Sequence, residues 1–319
     1  METRAHVPVL LDEVVELLAP GRGGFFVDAT LGAGGHAQAL LERGPGIRLL
    51  GIDRDPDALE RARTALAAFS GRVEFVLADF GDLDRVLEGL PPPDGILADL
   101  GVSSMQLNEA ERGFSFRRDG PLDMRMGKTG RSAADVVATA SVEELTRIFR
   151  EFGEERMAAK IARGIVAERA RGPIVTTRQL ARVVAEHKGG REKIDPATRV
   201  FQALRIEVNQ ELQALARFLS AAVRRLNGGG RLAVISYHSL EDRMVKEVFR
   251  RDSGVCLCPP KMPACVCGAR KALEVLTRRP LRPGEAELHR NSRSRSARLR
   301  VAEKIAEGGD LAALESVAI

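Results

Sequence analysis

The sequence predicts an α/β fold, a doubly wound and largely parallel sheet, on three observations. A short apolar run, Phe25 to Val27, ends on Asp28 and passes through a turn crowded by Gly32, Gly34 and Gly35 into a helical register from Ala37 to Leu41. Three further apolar runs, Leu49 to Ile52, Val73 to Ala78 and Gly95 to Ala98, each lead into an acid: Asp53, Asp79 and Asp99. Helical patterns separate these runs at a spacing of ~25 residues, which is the rhythm of strand–helix–strand units.

Taken in order, residues 7 to 18 repeat apolar positions at helical spacing, with Pro8 acceptable in a first turn and Pro20, Gly21, Gly23 and Gly24 stopping the helix. The glycine turn after Asp28 lets a ligand approach the backbone, and the helix that follows offers unpaired N–H groups. Gly32, Gly34 and Ala37 also satisfy a dinucleotide fingerprint, with Asp53 following, so the turn alone does not choose the cofactor. Asp55 or Asp57 caps the next helix, with Pro56 in its first turn and Leu59, Ala62 and Leu66 on one face.

The acids make the choice. Ligands of such sheets bind beyond the carboxyl ends of the strands, so Asp28, Asp53, Asp79 and Asp99 line one edge. Four carboxylates repel a pyrophosphate. They favour S-adenosylmethionine over NAD, because it presents a sulfonium, an amino group, ribose hydroxyls and an adenine amine. Asp53 suits the ribose, and Asp79 with Phe80 the adenine. Helix capping is the competing reading for any one of these acids.

After Asp99 the rhythm breaks: the next strand-like run starts at Arg231, 132 residues later. The interval holds Leu100 to Gln106, a loop with Gly113, Phe114, Phe116, Pro121 and Met124, and then four helical patterns. These start at Ser141 (a capping box with Glu144), near Glu154, at Thr177 and at Asp195-Pro196. A helical domain at 106–208 is therefore expected inside a sheet domain at 1–105 and 209–305. A long helix from Gln210 to Leu226, stopped by Gly228 to Gly230, returns the chain to the sheet. The fifth strand, Leu232 to Ser236, delivers Tyr237, His238, Ser239, Glu241 and Asp242 to the acidic edge. That cluster reads as active site, or as a helix start capped by Ser239. Runs at Ala272 to Leu276 and Ala297 to Val301 complete the sheet, and a flexible tail is expected over 306–319.

Cys256-x-Cys258 and Cys265-x-Cys267 hold all four cysteines. Two such pairs can supply four thiolates to a structural zinc, although one-residue spacing is tighter than usual. A reduced thiol cluster on a proline-rich loop is the alternative, and a catalytic metal is not expected. Net charge is only +5, but eight arginines and two glutamates fall between Arg278 and Arg300. Such a segment suits a polyanion, or is a solvated tail. With no Trp and one Tyr, the chain is poorly equipped to grip single strands by a row of stacking platforms. No apolar run reaches membrane-spanning length, and a cytoplasmic protein is expected.

Several blocks together carry a resemblance. They are His6 to Val14, Asp28 to His36, Gly51 to Asp55, Asp99 to Ser104, Gly113 to Phe116, Pro121 to Met126, Phe201 to Asn209, Ser236 to Asp242 and Ser294 to Arg300. In this order they resemble the MraW-type methyltransferases along nearly the whole chain. The resemblance implies a Rossmann-like class I methyltransferase sheet and methylation of the N4 of a cytidine in 16S rRNA, on the small ribosomal subunit near its decoding centre. It also implies cofactor contacts at Gly34, Gly35, His36, Asp53, Phe80, Asp99 and Gln106. Amino-methyltransferases commonly follow the acid after the fourth strand with two prolines and an aromatic, whereas Leu100-Gly101-Val102 stands here. Asp99 is expected to polarise the amine together with the Leu100 carbonyl, and Tyr237 or His238 to stack on the base. Arg293, Arg295 and Arg298 are expected to contact phosphates.

Overall fold

The computed structural model describes residues 8–103, 106–107, 109–127, 129–188, 195–259, 262, 264 and 266–306. Cys265 and the tail expected after Ala306 lie outside these residues. The chain forms two compact units, Met1–Gly101 with Ala214–Ile319, and Val102–Gln213.

In the first unit the elements are α1 (Leu11–Leu18), β1 (Gly24–Asp28), α2 (Gly35–Arg43), β2 (Ile47–Asp53), α3 (Pro56–Ala65), β3 (Val73–Leu77), α4 (Leu83–Val86) and β4 (Gly95–Asp99). After the second unit come β5 (Arg231–Ser236), α11 (Ser239–Asp252), β6 (Leu273–Val275), α12 (Glu285–Arg290) and β7 (Arg298–Lys304). Among the described residues the strands form one seven-stranded sheet in the order β3-β2-β1-β4-β5-β7-β6. The first five run parallel, and β7 lies antiparallel between β5 and β6. This is the expected doubly wound, Rossmann-like sheet. The strand order reverses between β1 and β4, and a crevice at such a switch point is where ligands bind.

The central strands β1, β2, β4 and β5 are largely apolar because both faces are covered. Phe26, Leu49, Leu97, Ala233 and Ile235 pack one way, with Val14, Leu18, Leu40, Leu59 and Leu66 from α1 to α3 and the turn after it. Val27, Leu50, Ile96, Ala98 and Val234 pack the other way, with Leu83, Phe218, Leu219, Leu226, Val245 and Phe249. A residue-by-residue alternation inside continuous apolar runs thus splits the sheet's side chains between two cores. α1 starts later than the periodicity suggests, because Leu10 sits in the left-handed region at φ 53°.

The second unit contains α5 (Ala133–Thr139), α6 (Val142–Glu151), α7 (Ala158–Arg169), α8 (Thr177–Lys188) and α9 (Thr198–Asn209). α10 (Glu211–Arg225) begins in it and ends in the first unit. The capping box expected at Ser141 is half made. Ser141 accepts from the Glu144 amide at 3.1 Å, while the Glu144 carboxylate reaches Arg131 at 3.5 Å. The reciprocated box is one helix earlier, between Ser132 and Asp135. The loop with Phe114 and Met124 is pinned by buried Asn209, whose amide donates to the Met124 carbonyl (2.8 Å) and accepts from the Met126 amide (2.9 Å). Lys188 in α8 and Glu155 in the turn before α7 are both buried and pair at 2.9 Å, which offsets the cost of taking each charge out of water. No helix among the described residues is long and apolar enough to cross a membrane.

Candidate active site

The glycine turn is held by the strand next to it. Leu31 donates its amide to the Ile52 carbonyl (2.9 Å) and Gly34 donates to the Leu31 carbonyl (2.8 Å). The Gly32 amide donates to Asp53 Oδ2 at 2.8 Å, and the Asp55 amide donates to Asp53 Oδ1 at 2.9 Å. The amide that would cradle a phosphate is therefore already given to a carboxylate. Gly34 caps α2 at φ 85°, a left-handed conformation, and a Cβ there would stand 3.1 Å from Leu66 Cδ1. At Gly35 a Cβ would meet Pro8 Cγ at 2.5 Å. At these two positions the turn has no room for a side chain, whereas at Gly32 the nearest atom to a Cβ would be the Thr30 carbonyl oxygen at 3.9 Å.

His36 is buried behind the turn, with Nε2 2.9 Å from the Val9 carbonyl oxygen. Nε2 therefore carries the proton and Nδ1 the lone pair. Burial outweighs the Val9 carbonyl and the Glu287 charge, and lowers the His36 pKa to about 4. The 3.9 Å separation of Nδ1 from Asp99 Oδ2 is consequently not an ion pair at neutral pH.

The strand ends form an electronegative edge. Burial raises the Asp28 pKa to about 7; the Thr30 amide opposes the shift, and the Asp99 and Asp53 charges add to it. Burial also raises Asp53, against the amides of Asp55 and Gly32. Asp79 accepts from the Gly81 amide at 2.8 Å and pairs with Arg54 at 3.2 Å. Phe80 packs edge-on against Phe218, with ring centroids 5.5 Å apart.

At the ends of β4 and β5, Tyr237 Oη donates to Asp99 Oδ1 at 2.8 Å, and the Asp99 amide donates to Thr30 Oγ1 at 2.6 Å. The Tyr237 ring edge lies beside Gly101, whose φ of 96° turns the chain out of the sheet. Burial, then the Asp99 charge, holds the Tyr237 phenol well above its usual pKa, so it is a fixed donor. His238 rather than Ser239 is the N-cap of α11. Its Nδ1 accepts from the Glu241 amide at 3.4 Å, and Glu241 Oε2 accepts from the amides of Tyr237 (2.9 Å) and His238 (3.3 Å). His238 Nε2 lies 3.1 Å from Glu241 Oε1, too far out of line to bond.

Thr30 is not singled out by the sequence, and Glu241 only as one member of the polar cluster after the fifth strand. Thr30 follows the strand-end acid by two residues, and Glu241 stands at the third position of α11, the place from which a capping carboxylate reaches back. Gln106 lies in the second unit, buried, where its Oε1 accepts from the Ser103 amide at 3.0 Å. Among the arginines near the C-terminus, Arg278, Arg279, Arg282, Arg290, Arg293 and Arg295 are exposed. Arg298 is not available in that way. It lies in β7 and pairs with Asp242 at 3.1 Å, while Arg300 pairs with the same carboxylate at 2.7 Å.

Residues 3–305 match the model of the MraW methylase family. The chain is 55% identical over 309 residues to a protein of Thermomicrobium roseum named ribosomal RNA small subunit methyltransferase H, with 95% of each chain covered. It is 52% identical over 312 residues to the protein of that name from Trichlorobacter lovleyi, covering 96% of this chain and all of that one (100%). Among solved structures, an rRNA methylase from Streptococcus thermophilus aligns with 92% of this chain and 93% of its own at 12% identity and a TM-score of 0.43.

Proposed function

The chain belongs to the MraW methylase family, and from that premise we propose that it methylates 16S rRNA at the exocyclic N4 of a cytidine, near the decoding centre of the small subunit. The methyl donor is S-adenosylmethionine. Three observations support that donor: burial raises Asp28 and the nearby Asp99 and Asp53 charges add to the shift, carboxylates gathered at one edge favour a cation, and the Gly32 amide is engaged by Asp53 rather than open to a phosphate. Gly34, Gly35 and His36 would face the methionine end, Asp53 the ribose and Phe80 the adenine. Asp99 would hold the reacting end. Gln106 joins this set on the family resemblance alone.

When bound, the donor supplies a methyl carbon made electrophilic by its sulfonium, which leaves as a thioether when the amine nitrogen displaces it. The difficulty lies with the amine, whose lone pair is delocalised into the cytosine ring. Asp99 accepts a hydrogen bond from an N–H of that amine, the Leu100 carbonyl accepts the other, and both strengthen as the nitrogen becomes tetrahedral. Tyr237 holds the Asp99 carboxylate in place through Oδ1. His238 and Glu241 hold the backbone turn that carries Tyr237. The amine proton leaves after methyl transfer.

The Tyr237–Asp99 hydrogen bond carries this reading, because it aims a strand-end carboxylate with a donor that stays protonated. Its test is methylation of small subunits and of free rRNA from a strain lacking the enzyme, with labelled donor. Nuclease digestion and mass spectrometry of the product should show N4-methylcytidine at one position. Label on a ring carbon, on another base or in protein would refute the assignment.

A further inference from the structure

Between α11 and β6 none of the described residues is buried. The ends of this loop are pinned where Ser253 pairs with Lys271 and the Ala272 amide donates to the Asp252 carbonyl at 2.7 Å. Beyond that base, Val255, Met262 and Val266 are exposed, the last at 73%. A loop of this length with no core of its own needs another source of order.

The cysteines supply one. The Sγ atoms of Cys256, Cys258 and Cys267 all lie within 4.8 Å of one another. Those of Cys256 and Cys267 are 3.8 Å apart. That is well outside a disulfide, whose sulfurs are about 2.05 Å apart. It matches the separation in a tetrahedral zinc–thiolate site, where bonds of about 2.3 Å put sulfurs roughly 3.8 Å apart. The backbone adds an independent sign. The amide of Leu257, inside the first Cys-x-Cys turn, donates to Cys267 Sγ at 3.2 Å; the amide of Val266, inside the second, donates to Cys258 Sγ at 3.3 Å. Each of these two amides thus points at a cysteine sulfur across the cluster, the outer-shell bonding that stabilises a metal-bound thiolate. Gly254 and Gly268, both in the left-handed region at φ 86° and 68°, flank the two turns.

We propose that Cys256, Cys258 and Cys267 bind a zinc ion that ties the segment at Cys256 and Cys258 to Cys267. The role is structural. The site hangs from the C-terminal end of α11, whereas the Tyr237–His238 turn is at its N-terminal end, and a helix of 14 residues separates them by about 20 Å. Binding releases thiol protons and leaves the sulfurs as thiolates; no redox change is involved.

The experiment is metal analysis of the full chain purified under reducing conditions. One equivalent of zinc is expected. Replacement by cobalt should give the intense near-ultraviolet thiolate charge-transfer band and the red d–d bands of a tetrahedral site. Cys258→Ser and the combined Cys256→Ser/Cys267→Ser variant should lose the metal while keeping the far-ultraviolet spectrum of the wild type. Thiol titration of the wild type covers the case in which a variant fails to fold: the cysteines should react slowly until a chelator is added. Zinc at background level in folded wild type, a cobalt spectrum without the thiolate band, or zinc retained by the combined variant would each overturn the proposal. So would a wild-type mass two protons short, which would reveal a disulfide.

Discussion

Tyr237 Oη donates to Asp99 Oδ1 at 2.8 Å, joining the residue just past β5 to the last residue of β4 across adjacent strand ends. The pair is held from both sides. Asp99 is anchored by its own amide on Thr30, and Tyr237 by its amide on Glu241. A carboxylate aimed this way is pre-oriented for an N–H donor, so its two partners should be separable by mutation.

Asp99→Asn should lower single-turnover methylation at saturating donor by about 100-fold or more, the usual cost of removing a preorganised group from a transition state. Tyr237→Phe removes only the orienting bond to a charged acceptor, worth ~1.5 kcal/mol, and should cost about tenfold with donor affinity unchanged. Rates measured on small subunits check both. Near-wild-type turnover for Asp99→Asn would exclude the role given to it.

The glycine turn gives a stability prediction with an internal control. Gly34→Ala places a side chain at φ 85° and 3.1 Å from Leu66, so urea denaturation should show a loss of ~1–2 kcal/mol. The donor KM should rise, because α2 begins at that residue and Gly32 is tied to Asp53. Gly71 has ordinary backbone and open space around its Cβ position. Gly71→Ala should leave both quantities unchanged, within about 0.5 kcal/mol.

Much of this site is legible in the sequence, and the rest fails for a physical reason. Strand, glycine turn and strand-end acid are local patterns, and an α/β sheet brings such ends to one edge. Which polar atom meets which is not local. The Asp53 carboxylate is taken up by the Gly32 amide, and Arg298 by Asp242, because chain segments far apart in sequence are packed together. His238 takes the cap expected of Ser239, since Glu241 reaches back one residue further than the hydroxyl pattern suggests.

Buried Asp28 and His36 predict opposed pH dependences. Asp28 has its folded pKa raised from 3.8 to about 7, so the folded state binds the extra proton and its contribution to stability declines as pH rises through that window. His36 has its folded pKa lowered from 6.5 to about 4, so stability is lost as pH falls from 6.5 towards 4. Each shift corresponds to a few kcal/mol, of opposite sign over the shared range. Between pH 4 and 6.5, Asp28→Asn should therefore steepen the rise of unfolding free energy with pH relative to wild type. His36→Asn should reverse that slope. Urea titrations at several pH values give both curves; parallel curves for variants and wild type would contradict the assignment.

The arginines from Arg278 to Arg300 divide into two sets with different expected readouts. Arg278, Arg279, Arg282 and Arg295 are exposed, and replacing them together by Gln should weaken rRNA binding and reduce the slope of log affinity against log salt. The expected decrease is ~0.7 to 0.9 for each phosphate no longer neutralised. Arg300 is nearly buried and pairs with Asp242, so Arg300→Gln should act on stability, at ~2 kcal/mol, through the carboxylate it leaves behind. Its salt slope should match that of the wild type. If the quadruple variant kept the wild-type slope, the exposed set would not touch RNA; if Arg300→Gln flattened it, the division between the two sets would be wrong.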